Sequence, residues 1–143
     1  MNGGLNPNQV RAVVAAFAHV EQALSTTEDI LAGPHHNLFR QVRIAEGEQQ
    51  RQEVEQACNA ARALLREAMA TFDLPGREDD GARIARAECS VAWAGVEGVR
   101  TKRLGAYGDV DPTLSDTLDP FVDRLAALLL HIAALFDQWP PIK

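Results

Sequence analysis

The chain has 143 residues, of which 46% are apolar and 24% charged, and its 20 acidic against 14 basic side chains give a formal net charge of -6. A chain of this length buries enough surface to fold as one domain without disulfides or metals. Its acidic balance repels phosphate backbones and argues against nucleic acid as a partner.

The opening stretch MNGGLNPNQVRAVV has no basic segment followed by a long apolar run, so it does not read as a secretory signal, and a cytoplasmic location is the expectation. Asn6-Pro7 supplies a helix cap followed by proline at the first helical position. The helix it opens runs towards Gly33-Pro34, with Val10, Val13, Phe17, Val20, Leu24 and Leu31 on one row. Ser25 and Glu28 have capping-box spacing, but the row keeps its phase across them, which predicts one continuous helix. Residues 35–47 can be read either as a short helix or as an apolar-anchored connection through Leu38, Phe39, Val42 and Ile44.

A second helix carries Val54, Cys58, Ala61, Leu65, Ala68 and Phe72 on one face and stops at Leu74-Pro75-Gly76. The third begins between Glu78 and Gly81 and is expected to reach about Leu104. Its bulky side is Ala85, Cys89, Ala92, Trp93, Val96 and Val99, and its small side is Ala87, Val91, Ala94, Gly95 and Gly98. Glycine costs about 1 kcal/mol against alanine inside a helix, so Gly95 and Gly98 predict the close approach of another backbone. Cys58 and Cys89 read as buried free thiols on two different helices.

Asp111-Pro112 offers a cap for the last helix, and Asp119-Pro120 repeats that signal. Leu114, Leu118, Phe121, Leu125, Leu128, Ile132, Leu135 and Trp139 fall at alternating spacings of four and three, the seam of an amphipathic helix. This phase runs through Pro120 and predicts one kinked helix rather than two. Val122, Leu129 and Phe136 add a third apolar row. No charge occurs between Leu125 and Phe136, so the outward positions Ala126, Ala127, Leu130, Ala133 and Ala134 read as an interface. That uncharged run is too short to cross a bilayer.

These elements predict an all-α fold, an antiparallel up-down-up-down four-helix bundle over residues 1–143 whose last helix is kinked near Pro120. In that arrangement Leu128→Asp is expected to prevent folding, and Leu130→Asp to leave the fold intact while weakening self-association. The leading functional expectation is a non-catalytic protein that self-associates or docks to a protein partner, with no cofactor. A small-molecule binder with an apolar pocket between its helices is an alternative.

Candidate chemistry is sparse. Arg124 and His131 lie seven residues apart on one helix face, where a guanidinium can hold a phosphate and an imidazole can move a proton. The spacing resembles the R-x4-6-H motif of HEPN-domain ribonucleases, a family of all-helical and commonly dimeric proteins, and the resemblance implies RNA cleavage by these two residues. In that family a polar residue often follows the arginine, whereas Leu125 does so here. No glutamate is followed three residues later by histidine, which removes the di-metal carboxylate bundle. His35-His36 reads as an exposed turn before it reads as a metal grip. Asp109, Asp111 and Asp116 lack the glycine and terminal glutamate of a calcium loop, so no metal site is assigned.

Arg100, Lys102 and Arg103 read as charge that complements a helix C-terminus rather than as an anion-binding site. Glu88, between the two faces of the third helix, is expected to be partly buried in a salt bridge. Tyr107 reads as an anchor beneath the turn formed by Gly105 and Gly108. The stretch from Arg103 to Pro112, followed by a leucine-rich helix, resembles a pattern in uncharacterised bacterial all-helical proteins and implies a shared bundle without an assigned activity.

Overall fold

A computed structural model of the chain describes residues 3–33 and 37–143; His35 and His36 lie outside the described residues. The fold is all-helical, with no strand among the described residues. In chain order the helices are α1 (Pro7–Ala32), α2 (Glu48–Phe72), α3 (Gly81–Glu97), the one-turn α4 (Thr101–Leu104), α5 (Leu114–Thr117) and α6 (Asp119–Asp137), with a 3-10 turn at Gly105–Tyr107. The chain divides into two compact units, Met1–Gly76 and Arg77–Lys143.

In the first unit, Asn6 caps α1 by accepting from the Gln9 N–H at 2.8 Å, while the Gln9 side chain accepts from the Asn6 N–H at 2.9 Å. Pro7 follows at the start of the helix, where its missing N–H costs nothing. The helix is continuous past Ser25, as its unbroken phase predicts. On its half-buried row are Val10, Val13, Phe17, Leu24 and Leu31, whereas Val20 is exposed and Glu21 and Glu28 take seam positions.

The side chain of Arg62 on α2 answers both carboxylates, at 2.9 Å from Glu21 and 2.5 Å from Glu28. Near the other end of the pair, the Arg51 guanidinium donates to the Leu31 carbonyl, one of the unpaired acceptors at the end of α1. Arg51 thus ties the end of α1 to the first turn of α2, and Arg62 ties the middle of α2 to Glu21 and Glu28 of α1. Cys58, Ala61, Leu65, Ala68 and Phe72 are the covered row of α2, and Cys58 is a buried free thiol.

Asp73 ends α2 in the left-handed region at φ 50°, and the next N–H, of buried Leu74, returns to the Met69 carbonyl at 2.9 Å. Residues 37–47 form no helix. The Asn37 side chain accepts from the Phe39 and Arg40 N–H groups, and Leu38 and Phe39 are each 99% exposed.

In the second unit, Asp80 caps α3 by accepting from the Ala82 N–H at 3.0 Å. The helix stops at Glu97, short of the expected Leu104. The reason lies 18 residues away: the Asp119 carboxylate accepts from both the N–H and the hydroxyl of Thr101, each at 2.9 Å, and so provides a cap that starts α4 afresh. The expected single last helix is split at Leu118 into α5 and α6. Pro120 has no N–H to return to the Asp116 carbonyl, and Leu118 remains right-handed, so the apolar phase survives the interruption.

Arg86 of α3 pairs with Asp137 of α6, and Arg100, just past the end of α3, pairs with Asp123 of α6, both at 2.6 Å. The start of α3 thus meets the end of α6, and the two run antiparallel. Of the bulky side of α3, Ala85, Cys89 and Val96 are half-buried, together with Ala82, whereas Ala92, Trp93 and Val99 are exposed.

On α6 the covered row is Val122, Ala126, Leu129, Ala133 and Phe136, with Val122 only 2% exposed. This corrects the rotation expected from sequence. Phe121, Leu125, Leu128, Ile132, Leu135 and Trp139 are exposed, whereas Ala126 is buried and Ala133 half-buried within the unit, so neither belongs to an outward surface. Ala127, Leu130 and Ala134 are exposed as expected. The helix is apolar on nearly every side, so hydrophobic period alone leaves its rotation open; the Asp123 and Asp137 ion pairs fix it.

Candidate functional site

The open row of α6 is the most distinctive surface of the second unit. Successive residues of a helix turn by 100°, which places this row about 100° from the row that α3 covers. Phe121 is 64% exposed, Leu128 56% and Trp139 61%, and these belong to a single stripe. The ring of Trp139 also lies 5.3 Å from that of Phe136, so the end of the stripe is braced by a covered residue.

Each carboxylate of α6 is occupied by its own chain: Asp119 by Thr101, Asp123 by Arg100 and Asp137 by Arg86. The N–H of Thr101, and then its hydroxyl, hold the Asp119 carboxyl below the usual carboxylate range. Arg100 likewise lowers Glu97 by hydrogen bonding, and its own guanidinium is pushed above its ordinary value by Glu97 and Asp123. What remains open on the helix is an uncharged face with no unpaired acid beside it.

Arg124 and His131 are both exposed and lie along one edge of that stripe, about 10 Å apart along the helix axis. Arg124 makes no ion pair among the described residues. Ala127, Ala134 and Gln138 share their side of the helix, so no third catalytic group from α6 accompanies them. Arg100 is committed to two carboxylates, which leaves Lys102 and Arg103 as the exposed cations of the basic cluster.

Glu88 is exposed rather than partly buried; the carboxylate drawn into an ion pair on α3 is Glu97, because it faces Arg100 at the turn. A Cβ placed on Gly95 would meet nothing within 4 Å, and one on Gly98 would meet only carbonyls of its own helix. Among the described residues no foreign backbone approaches either glycine, and Gly98 serves instead as the end of α3. Tyr107 is exposed rather than packed beneath its turn. Asp111 accepts from the N–H and hydroxyl of Thr113 in a turn that precedes α5, whose N-cap is Thr113 itself, and these bonds lower its carboxyl. Among the described residues no three His, Cys, Asp or Glu side chains gather into a metal site.

The first unit holds two shallow concavities near the end of α1. One, about 330 Å³, is lined by Glu28, Leu31, Ala32, Arg51, Glu55 and Asn59. The other, about 310 Å³, lies under Ile44, Ala45 and Glu46. The first is lined mostly by polar side chains, whereas the second includes Leu31, Ile44, Ala45 and Val54 and is the more apolar of the two. The Glu21–Arg62–Glu28 cluster was not identified by sequence reasoning; its signal is two carboxylates seven residues apart in the phase of an otherwise apolar row.

No family model, curated protein or solved structure matches this chain.

Proposed function

We propose that this chain is a non-catalytic helical protein that works by association, using the open row of α6 to contact a protein surface. One observation carries the reading: Phe121, Leu125, Leu128, Ile132, Leu135 and Trp139 form one exposed apolar stripe on a helix whose acids are all bound internally. Burying a large apolar side chain is worth about 1.5–3 kcal/mol, so an uncovered stripe of six is a strong drive towards a partner.

The test is the reactivity of a cysteine introduced by Leu128→Cys, measured against the parent chain, which carries only Cys58 and Cys89. Reaction with a thiol reagent at high dilution, and protection on assembly, is the expected result. A cysteine there that stays unreactive at every dilution would mean the chain covers this face itself, and the reading falls.

A ribonuclease reading is favoured by one feature, the exposure of Arg124 and His131 on the same edge, where Arg124 makes no ion pair among the described residues. It requires RNA cleavage by the purified protein and its loss in His131→Ala. Intact RNA, or undiminished cleavage by the variant, removes it.

A further inference from the structure

We infer that the occupant of the α6 stripe is a second copy of α6, lying antiparallel across a two-fold axis near position 130. This rests on the association reading above and names its partner.

The first argument is spacing. Phe121, Leu125, Leu128, Ile132, Leu135 and Trp139 follow one another by four, three, four, three and four, a series that reads the same from either end. An antiparallel copy therefore sets Phe121 against the partner's Trp139, Leu125 against the partner's Leu135, and Leu128 against the partner's Ile132. Aromatic rings close both ends of the contact and aliphatic side chains fill its middle. The antiparallel sense also places the positive end of each helix dipole beside the negative end of the other.

Area is the second. At about 200 Å² for a fully exposed large side chain, the six exposures amount to roughly 600 Å² of apolar surface on each copy. Stable interfaces bury about 800 Å² per partner, and the flanking Arg124, His131 and Gln138 lie where they would supply the remainder.

Charge is the third. A chain with net charge -6 would ordinarily resist its own copy. On α6, however, Asp119, Asp123 and Asp137 are each satisfied by Thr101, Arg100 and Arg86 of the same chain, and no other acid lies on the helix. A second α6 is the chemical equal of the first.

The test is sedimentation of the full chain over a wide concentration range, with helical circular dichroism recorded for each variant. The wild type is expected to be a dimer, and Leu128→Glu or Ile132→Lys alone a helical monomer. An equimolar mixture of the two variants is expected to recover the dimer mass, because only the antiparallel alignment sets the new carboxylate of one chain against the new ammonium of the other. Leu125→Glu with Leu135→Lys repeats the experiment at the next layer should either of the first pair fail to fold. Leu130→Glu is expected to remain dimeric, since Leu130, though 57% exposed, lies on the opposite side of the helix.

A wild type that stays monomeric throughout overturns the self-pairing, as does a dimer whose folded charge-swapped mixtures fail to recover its mass. The association reading survives either result if the cysteine of Leu128→Cys still reacts at high dilution, and falls only if it does not.

Discussion

Asp119 joins two parts of the second unit through one carboxylate, capping α4 from the first turn of α6. Because Thr101 donates to its ionised form, the native carboxyl titrates below the usual range, whereas the unfolded chain takes it up near an ordinary value of about 3.9. The native state therefore gains from ionised Asp119 above that value, and the gain disappears as pH falls through the lower native value. Asp119→Asn is expected to lower the melting temperature at neutral pH and to flatten the acid side of the melting-temperature curve. Glu28, Glu97, Asp79 and Asp111 are lowered as well, so some slope should persist. An acid limb identical to that of the wild type would show that this cap contributes no pH dependence.

Among the elements, α3 and α6 show what a sequence can and cannot disclose. The start of α1 is legible because Asn6, Pro7 and their neighbours act locally, and the covered row of α2 because its polar positions define the opposite face. The bulky side of α3 is legible only in part, since Ala85, Cys89 and Val96 are covered while Ala92, Trp93 and Val99 are exposed. The rotation of α6 is not legible, because leucines and alanines occupy nearly its whole circumference and the selecting ion pairs come from Arg86 and Arg100, more than 20 residues away. The end of α3 is hidden for a similar reason, since its capping partner belongs to another element. Distance along the chain also hides the Arg62 cluster from local reading.

Gly95 offers a direct check on the α3 geometry. With open space at its Cβ position and a helical setting, Gly95→Ala is expected to stabilise the protein by about 1 kcal/mol in chemical denaturation. The proposed α6 pairing does not involve Gly95, so the variant is expected to sediment as the wild type does. Destabilisation would point to a backbone lying against α3 in the assembled protein.

For the molecule as a whole, the division at Gly76 and Arg77 means that each half carries its own named contacts. Val122→Ala removes two methyl groups from the most enclosed side chain of the second half, at a cost of about 1–3 kcal/mol. Hydrogen exchange followed by mass spectrometry should show faster opening of α3 and α6, with the amides of α1 and α2 little altered. Equal acceleration in both halves would mean that they unfold as one cooperative body. Leu128→Asp, by contrast, alters a side chain that is more than half exposed and should leave the single-chain fold standing, contrary to the expectation from seam position alone.

The contiguity of the two units bears on how the protein is made. Synthesis completes the α1–α2 pair before α3 begins to emerge, and the pairing of nearby segments favours rapid folding of each piece. Of the described helices α6 is translated last, so the stripe most prone to promiscuous sticking meets the cellular milieu for the shortest time before α3, already waiting, can fix which of its sides is left facing outward.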